Sequence, residues 1–374
     1  MTENCDIKPA FETNNIAIAC SSSNEYVPYL SVWLKSLEEH TCTQYNYDVI
    51  VFERSITDEN KRILIQQITA PNVCLRFINP MEVISKYNLK FHAHYNLECY
   101  FRLTSPLILK NYDKLIFTDV DLVFEKDIKD LYATDVPKGL AACQDIVWCS
   151  FCDTPEKDDL HYSLTELELT DPYKYFNTGV MVLNLKYFRK HHISEALFDM
   201  ANQKMYRVLE QDILNKYFKQ DIIYLDDKWN FPTIFGRYRS YMANLKDKNL
   251  QLRYDKTRLN PSIIHWAGRA KAWLDPCADL AYIWWNYARR SPFYEEILLR
   301  LTNRSAHEIL TRNNENTLKL MYVIMHPVRF KWKKFIYKLK RKFGSEKHRQ
   351  KYREKYTQIK GEIKKAKELQ KKLK

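Results

Sequence analysis

Glycine is scarce in this sequence, with only 6 among 374 residues. Neither GxGxxG nor the GxxxxGK pattern of phosphate-binding loops occurs. Because both loops need glycine to bring the backbone close to a phosphate, their absence argues against the usual NAD-dependent and P-loop enzymes.

No apolar run of about 20 residues is present, so no segment is expected to span a membrane. The polar opening MTENCDIKPAFETNN lacks the apolar stretch of a secretory signal, which favours a soluble or peripheral protein.

Cysteines are odd in number, nine in all, and scattered along the chain. This pattern is typical of reduced, structural thiols in a cytosolic protein. Cys149 and Cys152 have CxxC spacing, but no second pair follows at the distance of a zinc site. We therefore expect neither a redox nor a zinc function for them, and a cytoplasmic location for the protein.

Positive charge is concentrated at the end of the chain. The whole sequence has 59 Lys and Arg against 46 Asp and Glu, and residues 319–374 hold 21 and 4 of these, which leaves 38 and 42 in residues 1–318. The body is mildly acidic, so the overall basicity does not by itself indicate a nucleic-acid partner. We divide the chain into a disordered leader (1–14), a main domain (15–300) and a basic tail (301–374).

The basic tail mixes aromatic and aliphatic residues with Lys and Arg at near-helical spacing, as in VRFKWKKFIYKLKRKF. Such a segment is typical of an element that lies on a membrane surface and is attracted to anionic headgroups. A solvated basic helix, or an arm that binds nucleic acid, is the alternative. We expect residues 319–374 to bind an anionic membrane surface, which would place the protein at the inner face of the cytoplasmic membrane.

Strand-like and helix-like segments alternate from residue 15 onward, which predicts an α/β fold with a largely parallel sheet between helices. Thr57 is a plausible cap of the second helix. The predicted strands are 15–21, 47–53, 73–78, 114–118, 139–145 and 178–185. The predicted helices are 26–40, 56–68, 96–110 and most of 194–218. Two short apolar runs, 222–226 and 261–265, also end in polar residues.

Polar side chains follow two of these runs, and open α/β sheets bind ligands at the carboxyl ends of their strands. Asp119 and Asp121 come directly after the strand KLIFT, and in an extended segment their carboxylates would point the same way. His265 could complete an oxygen, oxygen and nitrogen ligand set, which suits Mn²⁺, with Mg²⁺ as an alternative. Gly268 would let a phosphate approach the backbone, and Lys271 would supply compensating charge.

Five blocks of the sequence carry a resemblance to a known family. They are IAIACSSSNEYVPYLSVWLKSL, YFRLTSPLILKNYDKLIFTDVDLVF, YFNTGVMVLNL, LEQDILN and IIHWAGRAKAW. In this order, and over about residues 15–275, the chain resembles family 8 glycosyltransferases, in particular bacterial lipopolysaccharide galactosyl- and glucosyltransferases. The resemblance implies a single GT-A domain with a Rossmann-like mixed sheet, a UDP-hexose donor, Mn²⁺, retention of anomeric configuration and a glycolipid or oligosaccharide acceptor.

The resemblance also assigns functions to individual positions. The metal ligands would be Asp119, Asp121 and His265. The catalytic residues beside the donor hexose would be Gln211 and Glu210, and His94 would lie on the acceptor side. The donor-binding residues would be Ser21, Ser23, Tyr26, Arg102, Val120, Asp145, Asn177, Gly268 and Lys271.

The stretch after the first strand departs from the family pattern. Family members usually have one or two aspartates there, in contact with uracil and ribose, whereas this chain has Ser21-Ser22-Ser23-Asn24. Hydroxyl and amide groups can still hydrogen-bond a base. The usual carboxylate contact with the nucleotide is therefore absent from this chain.

The side chain of Gln211 bears on stereochemistry. An amide is a poor nucleophile, so we expect a same-face substitution in which the acceptor attacks as UDP departs, with Glu210 as the alternative nucleophile.

Two other functions compete with surface-glycan synthesis. One is a self-glucosylating primer protein that uses one of the 26 Tyr. The other is a protein that binds nucleic acid through the basic tail, a partner that the leading interpretation does not expect.

Overall fold

The computed structural model describes residues 7–90, 97–234, 237–268, 271–305, 327–343 and 346–372. The chain divides into two compact units, one ending at Ile297 and the next beginning at Leu298. The first unit contains the sheets and is a mixed α/β structure, as the sequence predicts. The second contains the long helices of the basic tail.

Ten strands form two sheets within the described residues. Their bounds are β1 Asn15–Ser21, β2 Asn46–Phe52, β3 Val73–Ile78, β4 Lys114–Thr118, β5 Leu122–Phe124, β6 Leu140–Gln144, β7 Phe176–Asn184, β8 Ile223–Tyr224, β9 Phe231–Pro232 and β10 Ile263–His265. The larger sheet has the order β3-β2-β1-β4-β7-β6-β8. All its neighbours pair in parallel except β7, which runs antiparallel to β4 and β6.

Helices connect the strands of the first unit and also make up the described part of the basic tail. Their bounds are α1 Val27–Glu38, α2 Asp58–Gln67, α3 Met81–Ile84, α4 Ser105–Ile108, α5 Lys129–Tyr132, α6 Ile146–Cys152, α7 Asp159–Thr165, α8 Leu185–Lys190, α9 Ile193–Gln203, α10 Leu209–Phe218, α11 Arg237–Asn244, α12 Lys248–Arg258, α13 Ala281–Ala288, α14 294–305, α15 Pro327–Phe343 and α16 Glu346–Lys372. Short 3₁₀ helices lie at Asn24–Tyr26, Leu97–Thr104, Pro172–Lys174 and Asp227–Asn230.

The central strand β1 shows why the sheet is buried on both faces. Alternate residues of this strand belong to two separate apolar clusters, with Ala17 and Ala19 in one and Ile16 and Ile18 in the other. An almost continuous apolar strand is what a parallel sheet covered by helices on each side requires. The core therefore consists of two layers, one on each face of the sheet.

The small sheet brings distant parts of the chain together. Strand β5 follows β4 after a short turn and pairs antiparallel with β10, which places Leu122 opposite His265. Strand β9 pairs with the other edge of β10. The turn between β4 and β5 contains Asp119 and Asp121. The same pairing that forms this sheet therefore sets these carboxylates beside His265.

One segment differs from what the sequence predicts. Residues 97–104 form a 3₁₀ helix, and the α-helix begins only at Ser105. The expectation that most of 194–218 is helical is confirmed, with two helices separated between Gln203 and Leu209.

Part of the expected disordered leader makes defined contacts. The Ala10 N–H donates to Asp48, and the Lys8 carbonyl accepts from Arg76 and Tyr112. Asp48 is itself buried and paired with Arg76. The described residues of the leader are thus held against the sheet.

The tail forms a pair of packed helices. Phe330 on α15 is buried with Ile359 and Ala366 on α16. A second set of apolar side chains on α15 is exposed. It consists of Trp332, Phe335, Ile336 and Leu339. Among the residues that the structure describes, no helix has the length and apolarity needed to cross a membrane.

Candidate active site

Backbone hydrogen bonds of Asp119 and Asp121 hold the turn that carries these two residues. The Asp119 N–H donates to the carbonyl of Gly179 on β7 at 2.9 Å, and the Asp121 carbonyl accepts from the Trp266 N–H at 2.9 Å. Val120 between them is buried in the core. Because Val120 points inward, its two neighbours face the edge of the sheet.

Asp119, Asp121 and His265 form a cluster that can hold a metal ion. One ligand atom from each lies within 4.8 Å of the others. His265 Nε2 is 3.1 Å from a carboxylate oxygen of Asp121 and 3.7 Å from one of Asp119. The imidazole is buried, whereas the Asp119 side chain is 32% exposed, so the cluster opens toward solvent on the Asp119 side. The expectation that both carboxylates share a face is confirmed.

Two cations lie against these carboxylates. Lys271 Nζ donates to Asp121 and also to the Trp266 carbonyl at 3.0 Å. The buried Arg102 donates to Asp119 and to the Thr178 carbonyl. The site therefore brings two positive side chains to the place where the sequence predicts a bound diphosphate.

Burial and charge act in opposite directions on the pKa values here. Burial alone would raise the pKa of Asp121, yet Lys271 and His265 hold it far below its ordinary value. Burial alone would lower the pKa of His265, but the adjacent Asp121 and Asp119 raise it overall. Asp121 is thus kept ionised, as a metal ligand must be.

Glu210 is a buried carboxyl on the first turn of α10. Its Oε1 lies 3.5 Å from Nε of Arg102, and this nitrogen has no hydrogen-bond partner. Burial raises the pKa of Glu210 to about 7, although Arg102 opposes the shift. Arg102 therefore lies between Glu210 and Asp119 and contacts both carboxyl groups.

Gln211 lies beside Glu210 with all of its amide groups engaged. Its Oε1 accepts from the Thr178 N–H at 3.0 Å and from the Thr178 hydroxyl at 3.2 Å. Its Nε2 donates to Asp145 at 3.3 Å and to the Tyr175 hydroxyl at 3.2 Å. The amide plane is consequently fixed by groups on β7 and at the start of α6.

Asp145 and Asn177 join the same network. Asp145 caps α6 by accepting from the Trp148 N–H at 2.9 Å, and its other oxygen accepts from Asn177 at 2.9 Å. Asn177 in turn accepts from Asn230, at 2.8 Å. The structure therefore brings together Asp145, Asn177 and Gln211, the three side chains that the resemblance would place beside a donor hexose.

The residues assigned to the nucleotide lie at the end of β1. The pairing of Cys20 with Thr118 places Ser21 next to Asp119 at the sheet edge. The Ser21 hydroxyl is buried and has no hydrogen-bond partner, so it is available to a ligand. Ser23 begins the 3₁₀ helix that contains the exposed Tyr26, whose ring meets Trp273 edge to face at 6.2 Å.

Gly268 is exposed and has a φ of 75°, a conformation that disfavours any side chain. This is consistent with close approach of a phosphate to the backbone. His94, the residue predicted on the acceptor side, lies outside the described residues.

Family assignment comes from the sequence as a whole. The model of "Glycosyl transferase family 8" matches residues 17–277, which include all of the site residues described above. The chain belongs to glycosyltransferase family 8.

Curated relatives of this family 8 enzyme come from several bacteria. General stress protein A of Bacillus subtilis is 27% identical over 271 residues, covering 68% of this chain and 86% of the relative. A putative glycosyltransferase of Haemophilus influenzae is 28% identical over 274 residues, covering 72% and 76%. A lipopolysaccharide 1,2-glucosyltransferase of Escherichia coli is 28% identical over 177 residues, covering 46% and 48%.

Solved glycosyltransferases share the fold. The apo structure of the bifunctional enzyme WbbM superposes with a TM-score of 0.72 at 26% identity, covering 80% of this chain and 54% of that one. The galactosyltransferase LgtC, solved with donor and acceptor sugar analogues, gives a TM-score of 0.58 at 24% identity, covering 74% and 96%. The GT-A fold expected from the sequence is confirmed.

Several residues of the candidate site are not apparent from the sequence. Thr178 and Tyr175 bind Gln211, Gly179 packs against His265, and Asn230 contacts both Asn177 and His265. Three of these lie within the block YFNTGVMVLNL, so their position in a strand beside Asn177 was a usable signal. Asn230 lies between aromatic residues in KWNFP, and nothing in that stretch indicates its partners.

Proposed function

We propose that this family 8 glycosyltransferase transfers glucose or galactose from a UDP-hexose to a lipopolysaccharide-like or other surface-glycan acceptor, with retention of configuration. The observation that carries the proposal is the convergence of Asp119, Asp121 and His265 within 4.8 Å, beside Lys271 and Arg102. Two carboxylates and an imidazole next to two cations suit a cation-bound diphosphate better than a neutral ligand.

The donor atoms fit Mn²⁺, with Mg²⁺ as the alternative. Two carboxylate oxygens and one imidazole nitrogen are ligands that Mn²⁺ accepts, and the opening beside Asp119 leaves room for further oxygen ligands. When bound, such a cation would supply Lewis-acid stabilisation of the departing diphosphate. Asp119, Asp121 and His265 are the residues that would hold it.

Cationic side chains and the backbone of the protein would also stabilise UDP as it departs. Lys271 is half-buried, and its ammonium group lies at the carboxylate cluster, where it would offset charge that develops on UDP. Arg102 holds Asp119 in place through its buried guanidinium. Gly268, three residues before Lys271, is exposed and has a φ of 75°, so a phosphate could approach its backbone closely.

The side chains of Gln211 and Glu210 favour a same-face substitution. The oxygen of Gln211 already accepts two hydrogen bonds from Thr178, and an amide is a poor nucleophile. The carboxyl of Glu210 has a pKa raised to about 7 by burial, so a large part of it is protonated near neutral pH. Neither side chain is therefore well suited to form a covalent intermediate, and attack by the acceptor hydroxyl as UDP departs is the simpler course.

The acceptor assignment rests on relatives. One curated relative is a lipopolysaccharide glucosyltransferase, and its match covers 46% of this chain.

The Ser21 hydroxyl, buried and without a partner, supports a nucleotide contact at the end of β1 in place of the aspartates common in the family.

The tail supports a location at an anionic membrane surface. Trp332, Phe335, Ile336 and Leu339 recur at helical spacing on α15 and are between 39% and 60% exposed. Residues 327–343 also contain eight Lys and Arg and no acidic residue. An exposed apolar stripe on a basic helix is the arrangement that binds anionic headgroups and buries its apolar face in the interface.

The test is a UDP-sugar hydrolysis panel on the full-length protein, with Mn²⁺ and with a chelator. We expect turnover with UDP-glucose or UDP-galactose only when the metal is present, and its loss in Asp121→Ala. The exposed Asp130 on α5 provides a matched control, since Asp130→Ala removes a carboxylate away from the cluster. Equal turnover with chelator, or an active Asp121→Ala protein, would contradict the proposal.

Two further measurements separate the alternatives. An intact mass that stays unchanged after incubation with UDP-glucose would exclude a self-glucosylating primer. A glycosyl adduct on Glu210, detected by peptide mass spectrometry, would replace same-face substitution with a two-step mechanism.

A further inference from the structure

Asn230 joins the metal-side and hexose-side residues. It ends the 3₁₀ helix Asp227–Asn230 just before β9 and is buried. Its Oδ1 lies 2.8 Å from Nδ1 of His265, and its Nδ2 donates to Oδ1 of Asn177 at 2.8 Å. Both ends of one amide are thus used, each by a residue of the proposed active site.

The orientation of these amides follows from a backbone N–H. The Gly179 N–H, which can only donate, lies 2.8 Å from Asn177 Oδ1 and therefore fixes that atom as oxygen. The Asn177 nitrogen then faces Asp145, whose carboxylate accepts from it at 2.9 Å. Asn230 must present its nitrogen to the Asn177 oxygen, since two facing oxygens would repel. Its own oxygen consequently faces His265.

The imidazole of His265 is constrained in turn. Because Asn230 offers an oxygen, Nδ1 of His265 must carry a proton and donate it. Nε2 then points at the carboxylates, 3.1 Å from Asp121 and 3.7 Å from Asp119. Gly179 packs so closely against the ring that any side chain at this position would meet it. Histidines that bind metals commonly donate their second N–H to such an acceptor.

We propose that Asn230 is a positioning residue that fixes the His265 ring with Nδ1 as donor and Nε2 free for the cation. The inference rests on the proposed function, in which His265 binds a divalent metal. Asn230 touches neither the metal nor the substrate in this scheme, and it acts on the metal only through His265.

The test is Mn²⁺ affinity, measured from the EPR signal of free Mn²⁺ with full-length protein and no donor. We expect Asn230→Ala to bind Mn²⁺ about 10- to 100-fold more weakly than wild type. Asn230→Asp keeps an acceptor for Nδ1 but loses the donor to Asn177, so it should retain most of the affinity. Asn244→Ala, which removes another asparagine amide from α11, should bind like wild type.

The outcomes separate positioning from a purely structural effect. Equal affinities in Asn230→Ala and wild type would overturn the inference, and so would an Asn230→Asp protein that is as weak as Asn230→Ala while circular dichroism shows both to be folded. If Asn230→Ala does not fold, the comparison of Asn230→Asp with wild type decides, and a loss of 10-fold or more there overturns it. A wild-type protein that binds no Mn²⁺ would instead overturn the proposed function, and this inference with it.

Discussion

Gly179 lies so close to His265 that a Cβ at position 179 would be 2.3 Å from Cε1 and 2.7 Å from Nδ1 of the imidazole. The backbone cannot easily yield, because the Gly179 carbonyl accepts from the Asp119 N–H and its N–H donates to Asn177. A glycine is therefore required at this point of β7 for the imidazole to occupy its place beside the carboxylates.

Gly179→Ala should accordingly displace His265. We expect a loss of about 1–3 kcal/mol in the free energy of unfolding, as is usual when a methyl group is forced into a packed core. Mn²⁺ affinity should fall in the same protein. Urea denaturation and EPR titration measure the two effects. Gly361→Ala is a matched control, since no atom lies within 4 Å of the added Cβ, and in a helix it should stabilise by about 0.5–1 kcal/mol. Unchanged stability and affinity in Gly179→Ala would show that His265 adapts at no cost.

Glu210 should make stability depend on pH. Burial raises its pKa from 4.5 to about 7, so between these values the folded protein holds a proton that the unfolded chain has released. The free energy of unfolding contributed by this group therefore falls as the pH rises from 4.5 to 7, and it stays low above 7. In Glu210→Gln this dependence is absent, and the variant should gain about 2 kcal/mol relative to wild type between pH 5 and pH 8.

Urea unfolding in the presence of a chelator measures the Glu210 effect without bound metal. The exposed Glu59, on the first turn of α2, provides the control, and Glu59→Gln should follow wild type at both pH values. A Glu210→Gln protein that parallels wild type from pH 5 to pH 8 would show that the carboxyl is ionised throughout.

The sequence predicts the sheet and the cluster of Asp119, Asp121 and His265 because both depend on local patterns. Buried strands appear as short apolar runs, and Asp119, Asp121 and His265 each stand at or next to the end of one. The pairing of β5 with β10 then brings the runs together. The residue types at these ends suggested one shared site, and the resemblance to family 8 glycosyltransferases added the expected metal ligands.

The supporting network could not be predicted in the same way. Asn230 is 35 residues from His265 and 53 from Asn177, and an asparagine between two aromatic residues carries no sign of either contact. The 3₁₀ helix at Leu97–Thr104 has helical spacing of its apolar residues, which does not distinguish it from an α-helix. Amide partners and helix type both depend on tertiary packing.

Tyr175 hydrogen-bonds both Asp212 and Gln211, and the loss of these bonds should lower the stability of the protein. Asp212 is fully buried and accepts from the hydroxyls of Tyr175 at 2.7 Å and Tyr162 at 2.8 Å, and burial raises its pKa. Tyr175→Phe removes one donor to Asp212 and one acceptor for Gln211. We expect a loss of about 1–3 kcal/mol in the free energy of unfolding, measured by urea denaturation. Tyr45→Phe, at an exposed tyrosine, should change little, and equal losses in both variants would contradict the buried network.

The exposed stripe on α15 leads to a prediction that separates apolar insertion from charge attraction. Trp332→Ser combined with Phe335→Ser removes the two aromatic side chains, which are 60% and 51% exposed, and leaves every Lys and Arg in place. If these rings enter the interface, their loss should weaken binding to anionic vesicles by about 2 kcal/mol, roughly 30-fold. Vesicle sedimentation at two salt concentrations measures both contributions.

Matched controls decide between an interfacial tail and a merely basic one. Leu252→Ser combined with Leu259→Ser removes two leucines that are at least as exposed but lie in the first unit, and vesicle binding should not change. Removal of residues after 318 should abolish vesicle binding while UDP-sugar hydrolysis continues, because every proposed catalytic residue precedes that point. If the eight cationic residues within 327–343 contact anionic headgroups, salt should weaken the binding of wild type. If the double serine variant binds as tightly as wild type and salt alone releases both, the tail is held by charge, and the exposed rings on α15 need another partner.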